Sequence, residues 1–149
     1  IKSDYTAEEL NNSRTSNVSG MTTLYDGRLI VRDGAILSGA GLTVASSDSG
    51  YSTPTVVIEN ARMNHENATI NFASGTSLVA SGQSAISTTS LTMGSGSSLT
   101  LHVNGENADE AVLSLNGILT FGDSLTLNLS FEEGKAGLYK LMSVNSLSN

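Results

Sequence analysis

Short apolar runs that alternate with polar residues and are broken by glycine turns recur along this chain. In Leu91 to Leu101, LTMGSGSSLTL, Leu91 and Met93 alternate with polar residues, Gly96 interrupts the run, and Leu99 and Leu101 resume it. Ile70-Asn71-Phe72, Gly75 and Leu78-Val79-Ala80 share this layout, as do Leu29-Ile30-Val31, Gly34 and Leu37. In all three the second strand begins eight residues after the first, with the glycine at the fifth offset. A fourth copy, Leu119-Thr120-Phe121 to Leu125-Thr126-Leu127, reads as two residues shorter at the turn. Leu91 follows Ile70 by 21 residues, and Ile70 follows Leu29 by 41, close to twice that spacing. A period of about 20 to 25 residues marks a unit that buries its apolar edge only against a neighbouring copy.

The remaining segments fit the same pattern less regularly. Asp26-Gly27 and Asp33-Gly34 are turn dipeptides around Arg28 to Arg32, and Thr55-Val56-Val57-Ile58 is strand-like. Glu59 to Ala68 reads as a polar passage, and Asn104 to Glu110 as a loop bulging from one unit. Leu125, Leu127, Leu129 and Phe131 alternate with Thr126, Asn128 and Ser130, as a strand with one buried face requires. Leu138 to Val144 predicts a last strand. Thr6-Ala7-Glu8-Glu9 has the form of a capping box, which predicts a short helix over about residues 7–12. Residues 1–20 are therefore expected to be a cap or linker, and 21–149 a repetitive β domain.

Composition narrows the function classes. The chain has 149 residues, one domain's worth, and 38% are hydrophobic, with 24 Ser and 15 Thr making up much of the difference. Seven basic against fourteen acidic side chains give a net charge of -7, with no Lys or Arg cluster. Nucleic acid and anionic membranes are disfavoured, because both need a basic face. Without cysteine there is no disulfide framework, thiolate metal site or thiol nucleophile. No apolar run approaches the length needed to span a bilayer, so direct membrane insertion of the segment is not expected.

Three-residue strands, glycine turns and a period near 21 residues predict an all-β, right-handed parallel β-helix, a β-solenoid of about five to six coils, each about 4.8 Å above the last. The competing fold is an antiparallel β-sandwich, supported by Asn116-Gly117 as a two-residue hairpin signal. Gly27-Arg28-Leu29-Ile30-Val31, then Gly34, then Leu37-Ser38-Gly39-Ala40-Gly41-Leu42-Thr43-Val44, resembles the Gly-x-Leu-x-Val, Gly, Leu-Ser-Gly-x-Gly pattern of autotransporter-associated β-strand repeats. Gly137-Leu138-Tyr139-Lys140-Leu141 is similar to the Gly-x-Tyr-x-Leu strand often found near the end of such blocks. The resemblance implies an exported bacterial surface protein, associated with the outer membrane, that serves as stalk or adhesin. It implies no catalytic residues.

Candidate chemistry is sparse. His65 lies in a polar passage and His102 projects opposite Leu101 and Val103, neither with a His or Cys partner at ligand spacing. Asp26, Asp33, Asp48, Glu59, Asp109 and Asp123 could serve a carbohydrate-active β-helix, but most adjoin glycine or lie in loops, where turn chemistry accounts for them. No cofactor is expected. Calcium is the one ion worth testing, at Glu106, Asp109 and Glu110, whose oxygens are hard donors without the spacing of an EF-hand. Tyr25 and Tyr51 fall at turn edges and are the candidate ring platforms for a ligand. The expected task is non-enzymatic: adhesion to host or bacterial surface glycans or proteins, or spacing. The alternatives are a carbohydrate-active or carbohydrate-binding module and a self-associating scaffold that uses unpaired edges and Ser/Thr/Asn ladders.

Overall fold

The computed structural model describes residues 20–45, 53–105, 109–132 and 136–148, together with the backbone of Tyr5–Thr6 and Thr15–Val18. Among the described residues there are fourteen strands and no helix. In chain order they are β1 Tyr5–Thr6, β2 Thr15–Val18, β3 Thr22–Leu24, β4 Arg28–Arg32, β5 Ile36–Gly39, β6 Leu42–Val44 and β7 Thr55–Glu59. There follow β8 Arg62–Phe72, β9 Ser77–Ser81, β10 Ser84–Met93, β11 Ser97–Asn104, β12 Leu113–Phe121, β13 Leu125–Glu132 and β14 Met142–Ser148. The predicted helix at residues 7–12 lies outside the described residues. The strands on either side of it, β1 and β2, pair with β4 and β5.

The chain passes alternately between two sheets. The first has the order β1-β4-β7-β9-β11-β13 and the second β14-β12-β10-β8-β5-β2, with β3 and β6 joined to it beside β8. Every pairing is parallel. The antiparallel sandwich is therefore excluded. Asn116-Gly117 makes no hairpin but sits inside β12, at a register shift between its parallel neighbours β10 and β14. Gly117 is needed there because a Cβ would collide with the Thr88 carbonyl oxygen.

Register builds the core. On the first sheet Leu29, Val56, Leu78, Leu99 and Leu127 form one inward row, and Val31, Ile58, Ala80, Leu101 and Leu129 another. On the second sheet Leu37, Met63, Ile86, Leu115 and Val144 stack, as do Leu42, Ile70, Leu91, Leu119 and Leu147. Each layer buries the apolar edge of the one before, at about 1.5–3 kcal/mol per enclosed large aliphatic side chain.

The eight-residue offset is present, but with two corrections. Leu29 to Leu37 crosses from the first sheet to the second, whereas Ile70 to Leu78 and Leu91 to Leu99 cross from the second to the first. Similar spacing thus arises at two different corners. In the last copy Leu127, not Leu125, stands over Leu99, so the turn after Phe121 matches the turn after Met93 in length.

The passage Glu59 to Ala68 is also not loop. Arg62–Phe72 is one eleven-residue strand that spans both β5 and β6 of the layer below. Its inward positions include His65, which is 2% exposed. The imidazole Nδ1 lies 3.0 Å from the Gly39 carbonyl oxygen, which can only accept, so Nδ1 carries the proton. Nε2 is buried, and among the described residues it has no hydrogen-bond partner. Burial pushes the His65 pKa below its ordinary 6.5, against a smaller opposing effect of the Gly39 hydrogen bond.

Candidate functional site

The outward rows of the first sheet are in register too. Ile30, Val57 and Val79 follow one another, then Thr100 and Asn128; beside them run Arg32, Glu59, Ser81, His102 and Ser130. β-Branched side chains suit this half-covered pleated surface. Val57, although outward, is only 8% exposed, and Val79 is half-buried. With Val112 they form the apolar floor of a groove of about 650 Å³.

Polar groups of several kinds rim that floor. Arg28 and Glu59 come from β4 and β7, His102 and Asn104 from β11, and Glu132 from β13, while Asn60, Gln83 and Glu110 come from the corner where the chain leaves the sheet. That corner is tight for a local reason. Asp33, Asn60 and Gly82 succeed one another there with φ of 57°, 47° and 65°. Short polar side chains and glycine are the residues that tolerate this left-handed backbone. The result presents carboxylates, amides, an imidazole and a guanidinium around three valines, a set able to hydrogen-bond a neutral polyhydroxylated ligand lying along the sheet.

Carboxylates from three segments, Glu59, Glu110 and Glu132, line this groove. Two acidic side chains outside it serve a turn and an ion pair. The Asp26 carboxylate accepts from the Gly27 N–H at 2.7 Å, and Asp33 pairs with Arg32 at 3.4 Å. The remaining polar outer surface is laced from layer to layer. The Ser77 and Ser98 hydroxyls are 2.8 Å apart, and Asn145 donates to the Asn116 side-chain oxygen at 2.6 Å.

Of the sequence-predicted site residues, Asp109 and Glu110 stand together and Tyr25 stands apart from them. Tyr25 is 69% exposed, away from the groove lining, and Tyr51 and Glu106 lie outside the described residues. Glu110 reaches the groove and a second, shallower depression, where Asp109 stands with Arg62 and Lys140. Among the described residues no group of three His, Asp or Glu side chains is placed to hold a metal ion, and no helix is long and apolar enough to cross a membrane. His102 points outward as its alternation requires and is half-buried in the groove. Sequence reasoning missed Arg28, Asn60, Gln83 and Glu132 as its companions. The one available signal was the outward phase of Arg28 and Glu132 on their strands, whose vertical register the sequence does not give; Asn60 and Gln83 lie at corners between strands. No family model, curated protein or solved structure matches the chain.

Proposed function

We propose that the chain is a right-handed parallel β-helix acting as an adhesive or spacing segment of an exported bacterial surface protein of autotransporter-passenger type, with ligand contact spread along the outer face of the first sheet. The observation that carries this reading is the in-register outward surface: a valine floor beside a mixed row, Arg32, Glu59, Ser81, His102 and Ser130, that runs from layer to layer. Such a surface offers many weak hydrogen bonds along an extended line, which suits a glycan chain or a flat protein epitope better than a compact metabolite. Binding of the purified segment to a broad array of glycans and matrix proteins, with and without calcium, tests it. A saturable signal weakened by Gln83→Ala and His102→Ala is expected. Absence of binding removes the adhesive role and leaves that of a spacer.

The three groove carboxylates favour one second reading, a carbohydrate-active β-helix. Glycoside cleavage by paired carboxyl groups needs one acid and one base or nucleophile flanking the bond. Release of reducing ends from a polysaccharide panel, abolished by Glu59→Gln or Glu132→Gln, would establish it over adhesion.

A further inference from the structure

The groove on the first sheet has a sign of charge as well as a shape. Three glutamates against one arginine leave its lining, among the described residues, at a formal charge of -2 with histidine neutral. Glu59, Glu110 and Glu132 are exposed, and among the described residues none of them is in an ion pair. Arg28 does not offset Glu59 at close range. It meets β7 at Thr55, whereas Glu59 stands against Arg32, about 13 Å further along the strand. Arg32 is itself paired with Asp33 at 3.4 Å, so the two together bring no net charge. Glu59 and Glu132 belong to β7 and β13, three layers apart, which strings the carboxylates over about 14 Å of the stack rather than gathering them at one point.

The floor narrows the partner further. Val57, Val79 and Val112 are aliphatic, and among the described residues no Phe, Tyr or Trp lines the groove. A sugar ring therefore finds no aromatic face to lie against. Lysine and arginine, by contrast, bury their alkyl stems along apolar surface while their charged heads reach past it. Valines at the centre with carboxylates at the rim are the complement of such a side chain. Asn60 and Gln83, exposed at the corner, can both donate to and accept from a peptide backbone. The net charge of -7 on the whole chain attracts the same kind of partner from a distance.

We propose that this groove takes a lysine- or arginine-rich segment of a partner protein, laid extended along the stack with its cationic heads on Glu59, Glu110 and Glu132 and its alkyl stems on the valines. This rests on the outer face of the first sheet being the contact surface, and it selects a basic peptide over a glycan as what that face holds. Each exposed ion pair contributes little, so binding comes from several pairs acting together and weakens with salt.

Calorimetric titration of the 149-residue chain tests it, with three probes: a short synthetic peptide alternating lysine and serine, the same peptide with glutamate for lysine, and chitosan oligomers as an aminated glycan. Saturable binding of the lysine peptide is expected, weakening as salt rises from about 0.05 M to about 0.3 M. Glu59→Gln with Glu110→Gln should lower its affinity by about fivefold or more. Glu66→Gln with Asp123→Asn removes the same charge outside the lining and should change it by less than about twofold. All four side chains are exposed and the changes are isosteric, so the fold is not at stake. Equal losses from the two pairs of substitutions would reduce the attraction to net charge and overturn the proposal. So would equal affinity for the glutamate peptide, or tighter binding of chitosan than of the lysine peptide, results that keep the outer face as an adhesive surface. Failure of all three probes overturns the proposal as well, and an empty glycan and matrix-protein array would then remove the adhesive role with it.

Discussion

β11 and β13 are nearly the same strand placed in two different surroundings. Both span eight residues, both alternate, and they pair over their whole length. Leu99, Leu101 and Val103 are at most 3% exposed, while their counterparts Leu127, Leu129 and Phe131 are at least 42% exposed. Burial in this fold belongs to the layer above rather than to the strand. The terminal layer compensates only in part, with Tyr139 meeting Phe131 edge to face at 5.7 Å between ring centroids. Stability should accordingly be graded along the stack, as in other architectures where each unit touches only its neighbours.

Truncating one leucine in each of these two strands challenges that grading most severely. Leu101→Ala should cost about 2–5 kcal/mol, because the cavity is closed on every side, and Leu129→Ala less than about 1 kcal/mol, both read from denaturant midpoints. Equal costs would remove the distinction between closed and open layers. Gly117→Ala should lose more than about 2 kcal/mol, since its Cβ collides with the Thr88 carbonyl, whereas Gly75→Ala, with open space and a φ of 75°, should lose only about 1 kcal/mol. Ser97→Ala should cost about 1 kcal/mol. Its hydroxyl donates to the Gly94 and Ala73 carbonyl oxygens inside the closed stack. Asn128→Ala on the exposed outer face, where the side-chain amide meets the Thr100 hydroxyl at only 3.4 Å, should shift the midpoint by less than about 0.5 kcal/mol.

The closed layers also carry a pH dependence. With the His65 pKa lowered in the folded state, the unfolded chain binds more protons between that lowered value and 6.5. Stability therefore holds above about pH 6.5 and falls as the pH drops from there to the folded-state pKa. Unfolding followed at a series of pH values should show this loss in the parent and in His102→Gln. It should be absent in His65→Gln.

Alternation made most strands legible in the sequence, because Leu91, Met93, Leu99 and Leu101 alone define two inward edges and a turn. What misled was coincidence of spacing. Leu29 to Leu37 and Ile70 to Leu78 are both eight residues, yet they turn opposite corners, and only strand pairing tells the corners apart. β8 was hidden because its inward positions hold Met63 and His65, and an imidazole does not read as core. The groove was illegible for a different reason. Glu59, His102 and Glu132 are separated by 43 and 30 residues and converge only once the vertical register is set.

The register also separates the length of a layer from its architecture. Leu78 to Leu99 takes 21 residues and Leu99 to Leu127 takes 28, yet all three lie in one row. Residues can thus be gained or lost at a corner without displacing any side chain of the interior. Each corner is an insertion point at a defined height, spaced from the next by about 4.8 Å. A longer corner loop therefore adds a feature beside one chosen layer and leaves the stacked rows as they are.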